Sequence, residues 1–199
     1  MHYVNDYSPV FVPSSGNYIV NVSELVSIGF SVININATDN DKGSQGDVYY
    51  AIDRGNIGNS FTIDQTSGAI TTARKLDRET TAVYDLVVKA FDGAVPEKVR
   101  FTEGHVIVNI GDINDNAPQF TKKEFTTSVK ETADLSDVIL RVEALDRDAG
   151  TNAELKFSIT SGNEDGYFDI KPASGDIIVK KSLDLEGATP PSLNYSLGN

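Results

Sequence analysis

Asp112-Ile113-Asn114-Asp115-Asn116-Ala117-Pro118 decides how this chain is read. Pro118 blocks a helix and biases Ala117 towards extended backbone. In an extended chain, Asp112, Asn114 and Asn116 project to one side, with backbone carbonyls between them. That is an all-oxygen donor row. A hard cation such as Ca²⁺ takes about six to eight oxygens from carboxylates, carboxamides and carbonyls. The bland alternative is a solvated Asp/Asn-rich turn. The sequence on either side separates the two readings.

Upstream, Val4-Asn5-Asp6-Tyr7-Ser8-Pro9-Val10-Phe11 echoes Ile113-Asn114-Asp115-Asn116-Ala117-Pro118-Gln119-Phe120. Asp6 and Asp115 are 109 positions apart, as are Phe11 and Phe120. Further on, the offset settles at 107, pairing Glu24 with Glu131, Asp39 with Asp146, Asp41 with Asp148, Gly68 with Gly175 and Asp77 with Asp184. The slip of two falls near Ser14-Ser15-Gly16-Asn17, which reads as a loop insertion. A constant offset over this length marks a tandem repeat of ordinary domain size.

Within each copy the hydrophobic period is two. Ile33, Ile35 and Ala37 alternate with Asn34, Asn36 and Thr38, and Leu140, Val142 and Ala144 repeat this in the second copy. Tyr84, Leu86, Val88 and Ala90 form one apolar row, and Val106, Val108 and Ile110 another. Such runs are strands with one buried face. Turn signals such as Ser67-Gly68, Asp92-Gly93 and Ser174-Gly175 separate them. The expected fold is all-β: two tandem immunoglobulin-like Greek-key sandwiches, without the disulfide and tryptophan of antibody domains. The expected divisions are residues 1–111, a linker at 112–118, and 119–199, with a remnant of an upstream linker at 3–9. The second copy is expected to be incomplete at its C-terminus, lacking counterparts of the last two strands.

Composition narrows the function. The 199 residues carry 29 acidic against 17 basic side chains, a net charge of −12. That speaks against nucleic acid or an anionic membrane surface as partner. There is no Cys, so thiolate zinc sites and cysteine nucleophiles are excluded. With only two His, a histidine metal cluster is not expected. No apolar run is long enough to span a bilayer. Three Asn-x-Ser/Thr sequons, at Asn21, Asn36 and Asn194, would permit glycosylation in an extracellular setting.

The acids outside the strand alternation cluster at strand ends. Glu24 follows one strand, Asp77-Arg78-Glu79 lies between two, and Asp39-Asn40-Asp41 and Asp146-Arg147-Asp148 each follow one directly. If the copies join end to end, Glu24, Asp77, Glu79, Asp112, Asp115, Asp146 and Asp148 gather at the junction, where divalent cations would relieve their repulsion. A hydrolase reading fails because the clusters recur with the repeat and no catalytic Ser/His/Asp spacing accompanies them. An EF-hand loop starting at Asp39 would have Ser44 in place of its Gly and Tyr50 in place of its Glu. The chain is therefore not expected to be an enzyme or to take a small-molecule substrate.

The Asp-x-Asn-Asp-Asn-Ala-Pro linker, Asp77-Arg78-Glu79, the Asp146-to-Asn152 loop and Glu24 together resemble tandem extracellular cadherin repeats, interior repeats of a long, protocadherin-like member. The resemblance implies about three Ca²⁺ at the linker. Glu24, Asp77, Glu79, Asp115, Asp112, the Ile113 carbonyl and Asp148 would hold the inner pair. Asn114, the Asn116 carbonyl, Asp146, Asp148 and the Asn152 carbonyl would hold the outer ion. At the N-terminal tip, Asn5, Asp39, Asp41, Asp92 and the carbonyls of Tyr7 and Gln45 would hold one weaker Ca²⁺. Tyr3 and Tyr7 depart from the motif, and Asp184-Leu185-Glu186 replaces Asp-Arg-Glu while keeping both acids. The implied function is Ca²⁺-rigidified cell–cell adhesion, with another cadherin as homophilic or heterophilic partner. The implied home is the cell surface, in a membrane-anchored parent. The alternative within the family is a calcium-stiffened spacer whose adhesive site lies elsewhere.

Overall fold

The computed structural model describes residues 4–94, 99–183 and 194–198. The chain divides into two compact units, Met1–Ile113 and Asn114–Asn199, so the boundary falls inside the Asp/Asn stretch. Among the described residues there are strands and short 3₁₀ turns, and no α-helix.

The first unit contains β1 (Val10–Val12), β2 (Asn17–Ser23), β3 (Ser31–Asn34), β4 (Asn36–Thr38), β5 (Val48–Arg54), β6 (Phe61–Ile63), β7 (Ala69–Thr72), β8 (Val83–Asp92) and β9 (Phe101–Gly111). One sheet has the order β2-β9-β8-β5; facing it are β3-β7-β6 and the pair β1-β4. The alternating rows read from the sequence point inward. Tyr84, Leu86, Val88 and Ala90 of β8 and Val106, Val108 and Ile110 of β9 pack with Phe11, Ile35, Ala37, Phe61 and Ile70 from the other side in one core cluster. Phe61 meets Tyr84 edge-on with ring centroids 4.9 Å apart, the geometry aromatic quadrupoles favour. Buried hydroxyls find partners: Tyr50 Oη accepts the Ala37 N–H at 2.8 Å.

Two features lie beyond the periodicity. First, β2 pairs with β9 in parallel, from Asn17 opposite His105 to Ser23 opposite Gly111. Second, the run Ile33–Thr38 is not one strand. It changes sheets at Ile35, whose N–H donates to the Gly68 carbonyl at 3.1 Å, leaving β3 on β7 and β4 on β1. Ile35 stays fully buried through the change. The alternation therefore survives although the hydrogen-bonding partner does not.

The turn that presents Gly68 is built by Asp64. Its Oδ1 accepts the N–H groups of Ser67 at 2.7 Å and Thr66 at 3.1 Å, and both hydroxyls. The Ser67 N–H leads these in pulling the Asp64 carboxyl down to about 2 from an ordinary 3.8. The folded state thus favours the anion. Its stabilising contribution is complete above the ordinary carboxylate range and is lost as pH falls through about 2. In Asp64→Asn, which keeps the acceptor oxygen but cannot titrate, urea unfolding is expected to show a flatter fall in stability between about pH 4 and pH 2 than the native chain. Equal acid slopes would contradict the assignment.

The second unit repeats the pairings with β10 (Gln119–Phe120), β11 (Val138–Arg141), β12 (Ala144–Leu145), β13 (Lys156–Ser161), β14 (Phe168–Ile170), β15 (Asp176–Val179) and β16 (Asn194–Gly198). The pairs are β10-β12, β11-β15-β14 and β13-β16. Val142, Phe157, Phe168, Ile170 and Ile177 form its core. The same sheet change recurs: the Val142 N–H donates to the Gly175 carbonyl at 3.0 Å between β11 and β12. One detail differs from the sequence reading, which had the last two strands missing. β16 lies antiparallel to β13, as β8 lies against β5, so the first of those two strands is represented.

Candidate metal centres

At one end of the first unit, β2 and β9 run parallel and stop together, so Glu24 and Asp112 follow side by side. The Glu24 N–H donates to the Gly111 carbonyl at 3.1 Å. The Glu24 side chain is buried, and both its oxygens are used. Oε1 accepts the Ile113 N–H at 2.9 Å, and Oε2 accepts the Arg78 N–H at 2.7 Å. Glu24 therefore ties the residue leaving β9 to the segment between β7 and β8. Carboxylate oxygens of Glu24, Asp77 and Glu79 lie within 4.8 Å of one another. Asp77 is shaped locally by Thr80, which gives it both its N–H and its hydroxyl at 2.9 Å. The Arg78 guanidinium bridges Asp112 and Glu79, donating through Nε to the first and through a terminal nitrogen to the second. Burial works against the arginine's charge, but Asp112 and Glu79 together raise its pKa above the ordinary value.

The opposite end of the first unit gathers Asn5, Asp39, Asp41 and Asp92. Asp92 closes β8 and is almost fully buried. Its Oδ2 accepts from Asn5 Nδ2 at 2.7 Å and from the Arg100 N–H at 3.0 Å, and its Oδ1 accepts the Ala94 N–H at 3.1 Å. Asp41 accepts the Asp6 and Tyr7 N–H groups at 3.2 and 3.0 Å. The Asp41 N–H donates back to Asp39 Oδ1 at 2.8 Å. Gln45 sits in the 3₁₀ turn Gly43–Gly46 that follows.

The second unit builds the same arrangement from the equivalent positions. The Asp148 N–H donates to Asp146 Oδ1 at 2.9 Å. Buried Asp148 accepts the Asn116 N–H at 3.2 Å and Asn116 Nδ2 at 2.8 Å, as Asp41 accepts from Tyr7. Asn116 Nδ2 also reaches Asp115 Oδ1 at 2.8 Å. Asn152 lies in the 3₁₀ turn Gly150–Ala153, the counterpart of Gln45.

One atom stands out in both copies. Asp39 Oδ2 and Asp146 Oδ2 are buried without a hydrogen-bond partner. An unsatisfied buried carboxylate oxygen is costly, typically about 1–3 kcal/mol or more for a charged group. The same oxygen lacks a protein donor at equivalent positions 107 apart in the two copies, and a hard cation is a group that such an oxygen fits.

The family model for the cadherin domain matches residues 18–111 and 125–196. This chain belongs to the cadherin domain family. Human Protocadherin Fat 1 is 40% identical over 182 residues, covering 92% of this chain and 4% of that protein. Mouse Cadherin EGF LAG seven-pass G-type receptor 2 is also 40% identical over 182 residues, covering 92% of this chain and 6% of its own length. The chain therefore spans only a small fraction of these curated relatives. Among solved structures, a crystal structure of mouse cadherin-23 EC22-24 superposes with a TM-score of 0.82 at 29% identity, covering 92% of this chain and 56% of that one.

Within these cadherin repeats the structure brings Glu24, Asp77 and Glu79 together at one end of the first, and Asn5, Asp39, Asp41 and Asp92 at the other. Asn114, Asp115, Asn116, Asp146, Asp148 and Asn152 belong to the second. The exposed sequon residues Asn21 and Asn36 lie on β2 and β4, and Asn21 Oδ1 accepts from Asn109 Nδ2 at 3.0 Å. The Asn194 side chain, Tyr3, Asp184 and Glu186 fall outside the described residues. Sequence reasoning passed over Arg78, a cation planted among the acids. The signal was its place inside Asp-Arg-Glu, but nothing in one-dimensional spacing tells which carboxylates it would hold.

Proposed function

We propose that these two repeats are a Ca²⁺-binding segment of an extracellular adhesion protein, acting through a partner cadherin. The observation that carries this reading is the repeated orphan oxygen of Asp39 and Asp146, each inside an all-oxygen donor set. Such a set suits a hard cation and offers nothing to softer metals. The ligands would be Glu24, Asp77, Glu79, Asp112 and the Ile113 carbonyl on the first repeat. On the second they would be Asn114, Asp115, the Asn116 carbonyl, Asp146, Asp148 and the Asn152 carbonyl. Asn5, Asp39, Asp41, Asp92 and the carbonyls of Tyr7 and Gln45 would form a further site at the tip. Bound Ca²⁺ would offset the mutual repulsion of these acids and would stiffen the linker by drawing on the linker's own donors. We assign glycosylation to the exposed sequons on β2 and β4 and a cell-surface location to the parent protein. Among the described residues no helix is long and apolar enough to cross a membrane.

The test is calorimetric titration of Ca²⁺ into the metal-free chain, with bead aggregation measured on the same samples. Uptake of more than one ion, with aggregation that a chelator reverses, is the expected result. No uptake of Ca²⁺ would refute the reading. Uptake without aggregation would retain the calcium sites and favour the spacer alternative.

A further inference from the structure

We infer that Arg78 is a built-in counter-ion that holds two of the calcium ligands while the ion is absent and is displaced when it binds. The inference rests on the calcium reading above. Its own evidence is the guanidinium bridge between Glu79 and Asp112. All three side chains are largely sheltered from water, at 17% exposure for Arg78, 16% for Glu79 and 14% for Asp112. Sheltered carboxylates of one sign repel unless a cation lies among them. Arg78 lies among them. It is anchored to do so, because its backbone N–H is fixed on Glu24 Oε2 at 2.7 Å, which points its side chain from the same short segment that carries Asp77 and Glu79.

The guanidinium engages Glu79 Oε1 and Asp112 Oδ1, so it competes with a divalent cation for those two carboxylates. Like charges at neighbouring positions repel, so a divalent cation drawn to the same two carboxylates works against the guanidinium between them. Loading this end is therefore an exchange of one cation for another. The arginine lowers apparent Ca²⁺ affinity, and it keeps the end from springing apart when Ca²⁺ leaves. The chain's second copy has Leu185 at the equivalent position, between the acids Asp184 and Glu186, so this cation is a property of the first repeat and not of the repeat pattern.

The test uses the whole 199-residue chain and Ca²⁺ alone. Arg78→Leu is expected to raise the affinity of the tightest sites by about tenfold, because charge-assisted hydrogen bonds no longer compete for Glu79 and Asp112. Melting in chelator is expected to fall, with melting in saturating Ca²⁺ unchanged. Arg78→Lys, which keeps the charge but not the fork, is expected to lie between. A readout on the native chain requires no variant: the Arg78 Nε–H resonance should shift to the position of a solvated arginine as Ca²⁺ is added. If the native chain binds Ca²⁺ while Arg78→Leu binds no tighter, or while the Nε–H resonance does not move, the exchange is refuted and the calcium sites stand. If the native chain takes up no Ca²⁺, both fail.

Discussion

Replacing Glu24 with alanine is expected to destabilise the metal-free first repeat by about 2–4 kcal/mol, because two sheltered backbone N–H groups lose their acceptor at once. Those donors belong to Ile113, just past β9, and Arg78, in the segment between β7 and β8. Glu24 is thus a structural clasp independently of any role as a ligand, and its loss frees both the exit from β9 and the Asp77-Arg78-Glu79 segment. The same change removes a carboxylate from the group it forms with Asp77 and Glu79. Affinity for hard cations follows ligand charge and rigidity, so Ca²⁺ binding at that end should weaken by about a hundredfold or more. Glu24→Gln separates the two roles. It retains one acceptor and the shape but loses the charge, so its metal-free stability should lie nearer the native value while its Ca²⁺ affinity falls almost as far. Urea unfolding in chelator and Ca²⁺ calorimetry check both halves. A Glu24→Ala variant within about 0.5 kcal/mol of native in chelator, the usual range of plain surface substitutions, would contradict the clasp.

The second large effect is expected where the chain changes sheets. Gly68 has φ +71°, and a Cβ added there would fall 2.3 Å from the Ile35 carbonyl oxygen. Gly175 repeats this with φ +70° and a Cβ position 2.3 Å from the Val142 carbonyl oxygen. The left-handed backbone alone costs a residue with a side chain about 1–2 kcal/mol. The collision adds to it, because Ile35 and Val142 are core residues that cannot retreat. Gly68→Ala is expected to cost the first repeat about 3–4 kcal/mol in urea unfolding, near the upper end of single-residue effects. A loss below about 1 kcal/mol would mean that the Ile35 corner yields without cost to the core.

These two sites also show how far the sequence could be read. The acids gathered at the ends of the first repeat were legible as a group because they fall outside the period-two strand patterns, and the constant offset showed their counterparts in the second copy. Glu24 was legible as a carboxylate at a strand end. Its hold on Ile113 and Arg78 was not, because that hold depends on β2 and β9 lying parallel, and neighbours distant in the chain leave no trace in local alternation. The sheet change at Ile35 was hidden for a different reason. Side chains keep alternating across it, since the Gly68 carbonyl takes over the N–H that a continuous strand would have paired. Asn116 was read for its oxygens, in the side chain and the backbone, whereas the structure has its N–H and carboxamide nitrogen donating to Asp148. A carboxamide is both donor and acceptor, and spacing alone does not choose between them.

The folded repeats are expected to be a Ca²⁺-binding form of this chain. Scanning calorimetry of the whole chain over a series of free Ca²⁺ concentrations tests it most directly, since a ligand held by the folded state alone must stabilise it by mass action. At free Ca²⁺ about a thousand times the dissociation constant, one site contributes about 4 kcal/mol, which should raise the melting temperature by about ten degrees or more and be reversed by chelator. A melting temperature that does not change from chelator to millimolar Ca²⁺ would contradict the account.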